Sequence, residues 1–127
     1  MSQHIILSVD SRIEEGMASQ LGEALEQLYK HIDETEPGTL FYTWYIDKAQ
    51  RRCHVIQHYA DGAALLFHLQ NYKPFAEKFN ALRKVDRVVC CGSIPDSLLA
   101  GFASAGVELF EKEFGSHINT QHERIIC

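Results

Sequence analysis

The sequence predicts an α+β fold of the ferredoxin-like kind, β-α-β-β-α-β over an antiparallel sheet. Three observations predict it. First, a short β-rich start is followed by Ile13, Met17, Leu21, Leu25, Leu28 and Ile32, apolar residues recurring every three or four positions. Second, the runs Thr39–Ile46 and Arg52–Tyr59 are joined by a short polar link, the pattern of a hairpin. Third, a helical stretch from Asp61 leads into the β-rich run Val85–Ile94. The 127 residues fit one domain, 1–127, with a core at about 4–114 and a polar tail at 115–127.

Gln3–Val9 suits a first strand. Ser11 and Glu14 have capping-box spacing, which predicts a helix starting beside Ile13. Glu15, Glu23, Glu26 and Lys30 lie off its apolar stripe and face water. Glu36-Pro37-Gly38 stops the helix, since proline cannot continue it and glycine supplies turn geometry. In the hairpin, pairing Ile46 with Arg51 sets Trp44 opposite Cys53, Tyr42 opposite Val55 and Leu40 opposite Gln57. Phe41, Thr43, Tyr45, His54, Ile56 and His58 then share the other face, and a slip of one residue would exchange the two faces. Asp61 is a good N-cap for a helix through Leu65, Leu66, His68 and Leu69. Asn71-Tyr72-Lys73 reads as a break before Pro74 restarts helix through Phe75, Phe79 and Leu82. Pro95 ends the last long strand, Asp96 caps a short helix through Phe102, and Gly106–Phe114 reads as a charged edge strand.

Composition narrows the function. A net charge of −5 supplies no basic stripe for nucleic acid. No apolar run approaches the ~20 residues of a membrane span, and the start MSQHIILSV shows no export signal. Cys53, Cys90, Cys91 and Cys127 match no paired metal or redox spacing and read as free thiols, which predicts a cytoplasmic protein. His54 and His58 are about 13 Å apart along a strand, too far to share a metal. His117 and His122 fall in the polar tail.

Right-handed crossovers place both long helices on one face of the sheet. The other face, with Phe41, Tyr45 and Ile56, lacks a cover within the chain. An apolar patch of that size predicts a homodimer formed through the sheet, with His54 and His58 at the interface.

The stretch EPGTLFYTWYIDKAQRRCHVIQHYADGAALLFHL, with NYKPFAEKFNALRKVDRVVCCGSIP after it, resembles the antibiotic biosynthesis monooxygenase family. Its most specific pieces are Glu36-Pro37-Gly38-Thr39, His58-Tyr59-Ala60-Asp61 and His68-Leu69. The resemblance implies a dimeric α+β barrel, two ferredoxin-like subunits packed sheet to sheet. It also implies oxygenation of phenols or quinols with no metal or organic cofactor, or, in a related branch, haem degradation. Haem is disfavoured because Tyr72–Lys84 contains no histidine, where haem-degrading relatives carry one.

Such an oxygenase binds a flat ring, removes a phenolic proton and leaves dioxygen to oxidise the anion, so it needs aromatic walls and a base. His68 lies on the stripe Leu65-His68-Leu69-Tyr72, which points its ring inward. It is the candidate catalytic residue. Tyr42, Trp44, Tyr59, Phe67 and Tyr72 are the candidate walls for a small aromatic ligand. The alternatives are a packed structural histidine and a noncatalytic ligand-binding or stress-related dimer on the same scaffold.

Overall fold

The computed structural model describes residues 3–117. The part of the predicted tail from residue 118 on, with His122 and Cys127, lies outside the described residues. The elements are β1 (Ile5–Ile13), α1 (Ala18–Thr35), β2 (Thr39–Asp47), β3 (Arg52–Tyr59), α2 (Gly62–Leu82), β4 (Arg83–Gly92), α3 (Asp96–Ser104) and β5 (Glu108–Phe110). The strand order is β2-β3-β1-β4-β5. The first four strands form the antiparallel ferredoxin-like sheet; β5 adds to β4 in parallel, so the complete sheet is mixed rather than purely antiparallel. This β5 has only three residues, shorter than the strand read over Gly106–Phe114.

All three helices lie on one face. Leu21, Ala24, Leu25, Leu28 and Ile32 of α1 pack with Trp44, Val55, Phe79 and Leu82 in one buried cluster. Leu65 packs with Ile5, Leu7, Tyr59, Cys90 and Ile94 in a second, which Leu98, Leu99 and Phe102 of α3 cover.

Four local expectations are corrected. Ser11 and Ile13 belong to β1, which continues past Val9 and pairs with β3 and β4, and the helix starts only at Ala18. Pairing on both edges satisfies more backbone groups than a local capping box could; Met17, at the N-cap, makes no side-chain capping bond. Next, Asn71-Tyr72-Lys73 is no break, since α2 runs unbroken through Pro74. The missing proline N–H costs one ladder bond. Tertiary anchors on that turn outweigh it: Asn71 is hydrogen-bonded to α1 and Tyr72 stacks on Phe79. Third, Trp44 stands opposite Val55, Tyr42 opposite Gln57 and Ile46 opposite Cys53, with a bulge at Leu40. That is a shift of two residues from the expected register, so Tyr42, Trp44 and the residues between and after them keep their predicted faces, whereas Leu40, predicted beside Tyr42, is exposed at the bulge. Last, Asp96 sits in the first turn of α3 but caps nothing.

Asp61 does cap α2, its Oδ1 accepting from Ala64 N at 2.9 Å. At Gly38, a Cβ would meet Ala64 Cβ at 2.6 Å. Only glycine lets the start of β2 lie that close to α2, and this sets the preceding Glu36 against the helix.

Candidate functional site

His68 projects from α2 toward the sheet at the seam between the two core clusters, and is 3% exposed. Its ring centroid lies 5.1 Å from that of Tyr42, 5.3 Å from Tyr59 and 5.8 Å from Tyr72. Its Nδ1 is 2.8 Å from Glu36 Oε1. Glu36, at the C-cap of α1, is 5% exposed.

Three donors converge on the Glu36 carboxylate. Thr39 Oγ1–H donates to Oε1 at 2.7 Å, Asn71 Nδ2–H to Oε2 at 2.7 Å, and His68 Nδ1–H completes the set. Asn71 also donates to Thr35 Oγ1 at 2.8 Å and accepts from His31 Nε2–H at 2.9 Å. The amide is thus fully used and fixes α2 to the end of α1.

Electrostatics determine the protonation pattern. Burial pushes the Glu36 carboxyl up, but the Asn71 and Thr39 hydrogen bonds and nearby His68 more than reverse this, and it stays ionised. Burial pulls the His68 imidazole below its ordinary value, against the opposing pull of Glu36. A neutral ring facing an acceptor-only carboxylate must carry its proton on Nδ1, which leaves the Nε2 lone pair as a base. The arrangement can accept a proton and stabilise the resulting imidazolium. Burial raises the phenols of Tyr42, Tyr59 and Tyr72, so these rings are neutral walls.

Of the predicted residues, the structure brings His68, Tyr42, Tyr59 and Tyr72 together. Trp44 extends the group through Phe79, at 5.2 Å between ring centroids. Phe67 is 50% exposed and lies outside it. Tyr42 also lines a surface cavity of about 350 Å³ between α1 and β2, together with Tyr29, Ile32 and Thr39. Tyr42 therefore stands between that opening and His68.

Glu36, Asn71 and His31 were missed as site residues. Glu36 reads as part of a helix stop and Asn71 as part of a break. The available signal was Asn71 at three residues from His68, one turn along the same helix face.

On the open sheet face, His54 Nδ1 lies 2.5 Å from Asp10 Oδ1, and His4 Nδ1 lies 2.6 Å from His58 Nε2. Among the described residues no group of three or more His, Cys, Asp or Glu could hold a metal ion, and no helix is long and apolar enough to cross a membrane.

The family model for antibiotic biosynthesis monooxygenases matches residues 5–83. No curated protein matches the chain. Among solved structures, MupZ from Pseudomonas fluorescens is 20% identical with a TM-score of 0.81, over 95% of this chain and 93% of that one. SnoaB from Streptomyces nogalater, a cofactor-independent oxygenase, is 13% identical with a TM-score of 0.60, over 70% and 91%. At these identities the likeness concerns the fold.

Proposed function

The chain belongs to the antibiotic biosynthesis monooxygenase family, and from that premise we propose that it is a cofactor-independent monooxygenase for a small phenolic or quinol substrate. The observation that carries this reading is the buried His68–Glu36 pair inside a ring of three tyrosines. A phenol against Nε2 gives its proton to His68, and Glu36 steadies the imidazolium through Nδ1–H. The phenolate supplies electrons to dioxygen; one oxygen atom becomes a quinone carbonyl and the other leaves as water. Tyr42, Tyr59, Tyr72 and Trp44 form the apolar walls, and Tyr42 must swing aside to admit the ring from the neighbouring cavity.

Oxygen uptake with 1,4-dihydroxynaphthalene and hydroxylated polycycles tests the reading. Uptake above the uncatalysed rate is expected, with at least a tenfold loss in His68→Gln. Unchanged turnover in that variant sinks the role of His68.

The sealing of His68 at 3% exposure favours a second reading, a noncatalytic ligand-binding dimer. Binding without oxygen consumption selects it.

In either reading two copies pair through the open sheet face. Ile6, Phe41 and Tyr45 are exposed there, and a partner sheet would cover them; members of this family are typically dimers. The free thiols Cys53, Cys90 and Cys91 support a cytoplasmic setting.

A further inference from the structure

Beside the tyrosine ring the core holds polar atoms that are poorly satisfied. Trp44 Nε1, the Tyr72 hydroxyl and Arg83 Nε are all buried and make no hydrogen bond of good geometry, although Arg83 lies near enough to the Tyr72 oxygen, and Trp44 to that of Tyr42, for weak contacts that favour the ionised phenols. Arg83 begins β4, is 8% exposed, and stacks with its guanidinium carbon 5.1 Å from the Trp44 ring centroid. Among the described residues it forms no ion pair. It is close enough to Tyr72 and Tyr42 to draw both phenols downward in pKa against their burial. Buried donors in native proteins are almost always paired, and a buried guanidinium is expected to have an anion beside it. Here donors of three residues share one region whose only nearby acceptors are neutral phenol oxygens held in poor geometry, with no anion beside the guanidinium.

We infer that Arg83, Trp44 Nε1 and the Tyr72 hydroxyl form a subsite for a carboxylate carried by the aromatic ligand. This rests on the reading that a phenolic ring lies against His68, whose ring stacks on Tyr72 at 5.8 Å. A guanidinium matches a planar carboxylate through two parallel N–H donors, and the indole and phenol supply neutral donors to the same oxygens. The substrate class is then a hydroxylated aromatic acid, its phenol at His68 and its carboxylate at Arg83. The stability lost to these under-satisfied donors in the free protein is recovered when the acid binds.

The chain has one tryptophan, so its emission reports on this subsite directly. Fluorescence titration with 1-hydroxy-2-naphthoate and with 1-naphthol compares ligands that differ by the carboxylate. The acid is expected to bind at least about tenfold tighter, as one charge-assisted contact allows. Arg83→Gln brings that ratio toward one, Arg83→Lys keeps part of it, and Tyr72→Phe lowers it by a few-fold. Arg83→Lys keeps the test valid if Arg83→Gln does not fold. Equal binding of the two ligands by the wild type, or an undiminished ratio in folded Arg83→Gln, overturns the carboxylate subsite while leaving the His68 pocket standing. Failure of both ligands to bind overturns the pocket itself, and the subsite with it.

Discussion

Two histidine–carboxylate pairs lie on opposite sides of one sheet, and their surroundings give them different work. His68–Glu36, on the helix-covered side, has side chains 4% and 2% exposed; His54–Asp10, on the open side, has 44% and 27%. In the single subunit water screens the open pair and can replace either partner, so there it contributes little beyond local order. The covered pair has no such substitute. It must be held by further donors, and Thr39 and Asn71 supply them. Burial thus turns a common surface contact into a pair with a fixed tautomer, set among three tyrosine rings.

The sharpest way to break this comparison is to remove each carboxylate in turn. Glu36→Ala strands His68 and Asn71 in the core and should cost about 3–5 kcal/mol in urea unfolding. Asp10→Ala, compared in subunits kept apart by Phe41→Asp, should cost about 1 kcal/mol or less. Similar losses from the two variants would show that burial does not separate the pairs.

Acidification should sharpen it next. The folded pKa of His68 is lowered, so the unfolded chain binds its proton first, and stability falls as pH drops below the ordinary histidine value of 6.5. Glu36 is lowered as well, so a second loss sets in below its ordinary value of 4.5. The slope from one such group is at most about 1.4 kcal/mol per pH unit. Midpoints measured from pH 8 to 4 should therefore decline, and His68→Gln should flatten the part near neutrality. A wild-type profile level down to pH 5 would contradict the neutral, buried imidazole.

The open face is probed by Phe41→Asp. Sedimentation of the wild type should show a particle of twice the 14.5 kDa chain mass, and this variant should shift it to the single chain, since an unpaired charge cannot be buried in an interface. A wild-type particle of one chain mass at micromolar concentration would remove the dimer. The smallest effect is expected at Phe67, half exposed and outside the tyrosine ring. Phe67→Ala should change stability by about 0.5 kcal/mol or less and leave naphthol binding as it was; a large loss of binding would return it to the site.

Legibility in the sequence followed the range of the interactions. His68 could be placed facing inward because its stripe with Leu65, Leu69 and Tyr72 is a local helical pattern. Its partner could not be found that way. Glu36 is 32 residues distant and meets His68 only because the end of α1 and the turn at Gly38 lie against α2. Arg83 shows the same limit from the other side: a cation at the mouth of a strand looks like ordinary surface charge until Trp44 is folded beneath it. The misplaced starts have a related cause. Ser11 looks like a cap only while β3 and β4 are out of view, and Asn71 looks like a break only while α1 is absent.

Periodicity and turn chemistry in the chain alone determined the element order, the faces of the strands and the side from which the helices pack, because these follow from spacings of two and of three to four residues. Tertiary structure alone decided the hairpin register, the continuity of α2 past Pro74, and the assembly of Glu36, His68, Asn71 and Arg83 around the tyrosines. Those outcomes depend on contacts between residues far apart in sequence, where close packing and the cost of an unpaired buried charge select one arrangement from many that local propensity allows.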